Sequence, residues 1–542
     1  MFRVLSWVIP TLALALTGCG SESTTTTSTG SSSGSGTSSG STSKINNYAK
    51  GQNLEFDGEL SDTFPAEFES AKAVGFKHYA ELTVKSGATT RSGNASPTQK
   101  IRIIATDDNA NGEKILRAAN ILAHLLTDKE NSTYGSDKSS IANTMATREA
   151  TLMLTANEDE NTALLLGLFA DNAIKLGVLT DLVSNAKLQS QEPINTTDLI
   201  EFRDDFLALE EEDQEKIIEA FFTELPNEAG FPKWILNSQG LYYRELTVVG
   251  DCHYMTNFDI PNSCGSLGTN SDGDEADRDA AFEEILHLVQ AQGIAPNTPT
   301  KPYQEAVRVE ALRQYTDMIN GGAVAWNPTQ SSWDDWESDD VNPEIGQSYS
   351  HEYLAAVFDA YMGMWQHQSE GLDGYKLNSR EKMRLGDNGI NDDAGLDFVT
   401  GMFHDMIQTT VRIDSNGVAE YHAKKGNFDA RFVMNTYQVA PPIEAYTYKS
   451  QYYLNAKIIG DQPMNLFANN EDNILEGNAQ QNVINGLGGT DTYIINNKMS
   501  ECKIASLKGQ YVLVSCPNTN DDMLYEIEKL KFTDTEILVS SL

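Results

Sequence analysis

The chain has 542 residues, of which 39 are basic and 78 acidic, giving a formal charge of −39, and 40% are hydrophobic. That is enough apolar material for more than one packed domain. So large an acidic excess repels phosphate backbones and anionic headgroups, which excludes nucleic acid as a partner and leaves divalent cations and a salty or extracellular setting open.

At the N-terminus, Arg3 precedes an apolar stretch from Val4 to Leu16, about 13 residues and too short for a bilayer that needs roughly 20. Residues 1–18 therefore read as a secretion signal. Their end, Leu16-Thr17-Gly18 followed by Cys19, resembles the lipobox of bacterial lipoproteins, which implies that Cys19 becomes a lipidated first residue. Residues 19–44 are nearly all Ser, Thr and Gly after the cysteine, a composition with little to bury, and are expected to form a flexible tether. Gly20, in place of Asp, is similar to lipoproteins sorted to the outer membrane. The resemblance implies a bacterial cell-envelope protein, facing periplasm or exterior, that meets the membrane through its lipid alone. Gly30-Ser-Ser-Ser-Gly34 matches a nucleophile elbow in form but lacks the strand and helix that motif requires.

Beyond Cys19, the cysteines fall into two closely spaced pairs, Cys252 with Cys264 and Cys502 with Cys516. Two local disulfides in an oxidising compartment are the simplest reading. A four-thiolate metal site would need CxxC spacing, which is absent.

Residues 45–100 suggest no particular fold. From 101 to 460 the pattern is mostly helical. Ile115, Ala119, Leu122 and Leu126 share a face within 114–128, and Ile217, Ile218, Phe221, Phe222 and Leu225 do so before Pro226. Further helices are expected over 162–176, 277–292, 304–320 and 350–365. Strands are expected over 100–105, 151–154 and 246–249. A helical core with a small sheet is an α+β pattern.

The helix over 277–292 carries most of the chemistry. It opens on acids and is closed by Gly293, as capping physics prefers. Glu283 and His287 stand at i and i+4, near enough to share a metal, with Glu284 beside them. Glu352 follows 65 residues after His287, in Ser350-His351-Glu352-Tyr353-Leu354-Ala355 on a second expected helix. These segments resemble the HExxH helix and the later ExxA-like helix of gluzincin zinc metallopeptidases, with Glu283 in place of the first His. The resemblance covers roughly residues 100–410. It implies that Glu283, His287 and Glu352 hold zinc or another divalent transition metal, and that Glu284 is the general base for a peptide or protein substrate. It also offers the Tyr349 phenol as an oxyanion donor. A second carboxylate ligand shifts the site toward harder ions and makes bound water less acidic. Without the resemblance, Glu283 and Glu284 suit a solvated first turn and His287 a boundary histidine equally well.

The last 82 residues, 461–542, contain a nine-residue period: Asn473-Ile-Leu475, Asn482-Val-Ile484 and Asp491-Thr-Tyr493 recur with a polar sixth and an apolar eighth position. This resembles the RTX nonapeptide, which implies a short β-roll with calcium held near Asp491, Asn482 and Asn473. Neutral Asn attracts calcium less than Asp does. Three functions are consistent with these features: a metal-dependent peptidase on an exported lipoprotein; a non-catalytic, calcium-stabilised surface binding or adhesion protein on the same scaffold; or, on the secretion and RTX-like features alone, a calcium-dependent polysaccharide-active enzyme.

Overall fold

A computed structural model describes residues 53–56, 60–85, 99–106, 111–176, 229–246, 280–338, 347–364, 370–406, 419–422, 429–432, 452–507, 511–517 and 521–542. The signal, Cys19 and its tether, the Cys252 and Cys264 pair and the helix expected at 217–225 lie outside those residues.

The first sheet has the order β1-β2-β3-β4-β5, from Leu54–Glu55 (β1), His78–Val84 (β2), Lys100–Ala105 (β3), Thr151–Thr155 (β4) and Ser238–Tyr242 (β5). Pairing is antiparallel from β1 to β3 and parallel from β3 to β5. Residues 54–84, for which sequence suggests no fold, thus supply two strands of the core. Helix α1 (Glu69–Val74) lies between β1 and β2 in the chain. Parallel neighbours need crossovers. Helices α2 (Asn111–Leu125) and α3 (Ser139–Thr147) join β3 to β4, while α4 (Glu158–Leu176) and α5 (Lys233–Leu236) lie between β4 and β5. All five residues of β4 are buried, as in a strand covered on both faces.

The strands expected at 100–105 and 151–154 form. Of the strand expected over 246–249 only Leu246 is among the described residues, where it caps the 3-10 turn Tyr243–Glu245; 247–249 lie outside them, and the fifth strand of the sheet is Ser238–Tyr242. Ser, Gln and Gly have weak β propensity. Pairing with β4 across five residues, from Thr151 with Ser238 to Thr155 with Tyr242, makes the segment a strand.

After the sheet come α6 (Ala281–Val289), α7 (Lys301–Ile319), α8 (Gln330–Ser338), α9 (Ser348–Tyr361), α10 (Arg380–Leu385) and α11 (Asp393–Met402); α6 packs on β4 and β5, α9 packs on α6, and α7, α8, α10 and α11 pack on α9. Every residue of α6 and α9 is buried, so both are central helices. Phe282, Ile285 and Leu286 of α6 share one apolar cluster with Leu152, Leu154 and Leu241 of the sheet and Leu354 and Val357 of α9. Phe282 stacks on Phe358 with centroids 5.3 Å apart. Gly293 does not end α6 as expected. The chain continues through a π-helical turn, Gln290–Ile294, and a Cβ on Gly293 would meet Ile141 at 2.7 Å and Met145 at 2.8 Å. The glycine admits close approach of α3.

The tail begins before residue 461. Ala419–His422 (β6) and Asp429–Arg431 (β7) are followed by Asn455–Ile459 (β8), Asn465–Phe467 (β9), Ile474–Glu476 (β10), Val483–Asn485 (β11) and Thr492–Ile494 (β12). Lys503–Leu507 (β13), Tyr511–Ser515 (β14), Asp522–Tyr525 (β15), Lys529–Lys531 (β16) and Glu536–Leu538 (β17) complete it. Two six-stranded sheets result, ordered β17-β16-β12-β10-β8-β6 and β13-β14-β15-β11-β9-β7. Strands β6 to β12 alternate between the sheets; β6 to β10 each pair in parallel with the strand two places on, while β11 pairs with β15 and β12 with β16. The residues expected at the eighth position, Leu475, Ile484 and Tyr493, fill the shared core. The hairpin β13–β14 is inserted after β12, and the Cys502–Cys516 disulfide closes its base.

Arg380 joins core to tail. Its guanidinium lies 3.9 Å from the Tyr361 ring of α9 and 3.8 Å from the ring of Tyr452, just before β8. It also donates to the carbonyls of Tyr361 at 3.0 Å and Asp405 at 2.7 Å. Lysine keeps the charge but loses the planar fork. Arg380→Lys is expected to lower unfolding free energy by about 1–3 kcal/mol in urea titrations.

Candidate metal centre

Helix α6 places Glu283 and His287 one turn apart, and α9 packs against it to bring in Glu352. One ligand atom from each of the three lies within 4.8 Å of the others. His287 Nε2 stands 3.9 Å from Glu352 Oε1. Tetrahedral ligands at about 2.1 Å from an ion would be roughly 3.4 Å apart, so modest side-chain rotation closes the set. Glu283, Glu284, His287 and Glu352 are 2%, 1%, 2% and 3% exposed. That burial rules out the solvated first turn.

Burial pushes the His287 imidazole down to about 4, against the opposing pull of the Glu283 charge and a hydrogen bond to the His351 main chain. The ring is therefore neutral near pH 7, the form that binds metals. Nε2 makes no hydrogen bond and faces Glu352, while Nδ1 is turned toward Glu284 Oε2, 3.6 Å away. The three groups could hold a divalent ion.

Sequence reasoning did not single out the residues that fix these ligands. Gln239 Nε2 donates to Glu284 Oε2 at 2.9 Å from β5, and the same oxygen lies 3.6 Å from His287 Nδ1. No pattern marks this glutamine, because its strand has no β signal of its own. One turn beyond His287, Gln290 Nε2 donates to Gln304 Oε1 at 2.9 Å and to the Ser350 carbonyl at 3.3 Å. Gln304 Nε2 donates to Ser350 Oγ at 2.9 Å. These buried amides bind α6, α7 and α9 together.

Tyr349 is placed elsewhere than the oxyanion role expects. Its ring stacks on Trp333 at 4.8 Å, and its hydroxyl receives Arg308 Nη1 at 3.4 Å and donates to Gln347. The aromatic residues of α8 draw it toward the α7–α8 side.

In the tail, the sixth positions form two columns. Asn473 N donates to Asp491 Oδ1 at 2.8 Å and Asp491 N to Glu528 Oε2 at 2.7 Å. In the other column, Asn482 N donates to Asp522 Oδ1 at 2.9 Å. The carboxamides also reach back one coil: Asn473 Nδ2 to the Leu454 carbonyl at 2.8 Å and Asn482 Nδ2 to the Met464 carbonyl at 3.1 Å. Those two amides are thus engaged in hydrogen bonds. Asp491 differs: its Oδ2 is buried and accepts none. Asp522-Met523-Leu524 repeats the sixth-to-eighth pattern after the inserted hairpin, a signal that was present in the sequence.

No protein-family model, curated protein or solved structure matches this chain.

Burial raises the Asp491 carboxyl to about 7, opposed by the Asn473 amide and reinforced by Glu528, and raises that of Asp522 to about 6. Each takes up a proton in the folded tail at a pH where the unfolded chain is still ionised. With calcium chelated, thermal stability should therefore rise as pH falls from about 8 to about 5. Melting curves across that range should show a shallower slope for Asp491→Asn.

Proposed function

We propose that the chain is an exported, lipid-anchored metalloprotein whose core hydrolyses peptides with a divalent transition metal. The convergence of Glu283, His287 and Glu352 on two packed helices carries this reading. Zinc is accepted by such a set, and its two carboxylates also suit harder ions such as manganese or iron. When bound, a divalent ion polarises the substrate carbonyl and acidifies water. Glu284 would take the proton of the attacking water and pass it to the leaving amine, while Gln239 holds one of its carboxylate oxygens in place. In the tail, Asp491 is the sixth-position group best suited to calcium, since Asn473 and Asn482 already bridge the coils.

Near-complete burial of the four site residues favours a second reading. In it the ion is structural, and the protein serves surface binding or adhesion.

Metal analysis of protein purified without chelator separates these from a metal-free core. The parent is expected to hold about one transition-metal ion per chain, and His287→Ala and Glu352→Gln to lose it. Glu284→Gln should keep the metal and abolish hydrolysis of a denatured protein substrate. A parent devoid of metal overturns both readings. Hydrolysis by Glu284→Gln at the parental rate overturns the catalytic assignment.

A further inference from the structure

Helix α7 is apolar on two opposite sides. Its inner side buries Tyr303, Val307, Ala311 and Tyr315 in the core, and Gln304 there ties α6 to α9. On its outer side Pro302, Ala306, Val309, Leu312 and Ile319 are exposed, the last three by 52%, 39% and 57%. Together with exposed Thr316 these positions advance by three or four residues at each step, which draws one stripe along a helix. At 1.5 Å per residue the stripe runs about 26 Å. Single exposed apolar side chains are ordinary, whereas a continuous row of them marks a contact.

We propose that this stripe is the contact between two copies of the chain, packed end for end about a two-fold axis that passes between Val309 and Leu312. Two features select a second copy. The first is symmetry: Pro302 precedes Val309 by seven residues, and Ile319 follows Leu312 by seven. Reversing the helix therefore lays Val309 on Leu312 of the second copy and Pro302 on its Ile319. A patch that complements itself in this way is what an isologous contact requires. The second is charge. Two chains of net charge −39 repel over most of their surfaces. Along α7, Lys301, Arg308 and Arg313 balance Glu305, Glu310 and Asp317. Arg308 pairs with Glu305 at 2.6 Å, and Arg313 pairs with Asp317 at 2.6 Å and also with Glu310. A second copy can close on this face without confronting like charge. A basic partner, the kind so acidic a chain attracts, would find these acids already matched by arginines. A helix that lies in a lipid surface carries an excess of lysine and arginine, which α7 lacks.

The second copy would back the helix whose inner side holds α6 and α9. The contact shares no residue with the metal centre, so it stands or falls independently of the proposed hydrolysis. The test is sedimentation-velocity ultracentrifugation of the full chain, which should form a dimer with Kd below about 10 µM. Val309→Lys and Leu312→Glu, both at exposed positions, should each weaken the dimer by about tenfold or more, with near-UV circular dichroism unchanged. Because the two positions face each other across the axis, mixing the variants one to one should restore the dimer through a Lys–Glu pair. A parent still monomeric at about 100 µM overturns the proposal. So does a dimer of parental affinity in either variant, or a mixture that stays monomeric. A monomeric parent whose binding to phosphatidylethanolamine–phosphatidylglycerol vesicles is lost in Leu312→Glu also overturns it, and assigns the stripe to a lipid surface.

Discussion

The buried contact between His287 and the His351 segment, whose rings lie 6.0 Å apart, ties helix α6 to helix α9 at the point where the three candidate ligands meet. It spans the two elements that carry the carboxylates. The Gln290, Gln304 and Ser350 bonds repeat the tie one turn away and bring α7 into it. Buried amides of this kind are costly unless satisfied. Their mutual pairing makes the helix arrangement discriminating, since a slip of either helix would break several bonds together.

The same burial governs the site's electrostatics. A neutral imidazole lies between two carboxylates in surroundings nearly free of solvent, and a cation there would be screened little. Glu284 is set apart by Gln239, which reaches it from the sheet. The sheet therefore positions one carboxylate while the helix pair positions the other two. The core fold unites these groups although they lie far apart in sequence.

Much of this was legible in sequence where a residue's role is local. Glu283 and His287 share a helix face by spacing alone, and the nine-residue period places Leu475, Ile484 and Tyr493 in the tail core because each strand alternates inward and outward. What escaped depends on tertiary partners. Ser238–Tyr242 is a strand through pairing with β4. Gly293 serves packing against Met145 where helix-ending chemistry was expected. Tyr349 follows an aromatic cluster whose members lie on other helices. Asp522 was hidden by an inserted hairpin that breaks the period between it and Asp491.

The tail's hydrogen-bond columns run toward the C-terminus. The Asn473 amide is met by Asp491, whose own amide is met by Glu528, and Asn482 is met by Asp522. Each coil thus waits for a later one. A chain emerging from a ribosome would expose Asp491 with its amide unmet until Glu528 arrived, after the core residues had been synthesised. The tail is therefore a late-closing module. A chain cut short before Glu528 would leave the Asp491 amide without its acceptor and β12 without β16 as a neighbour.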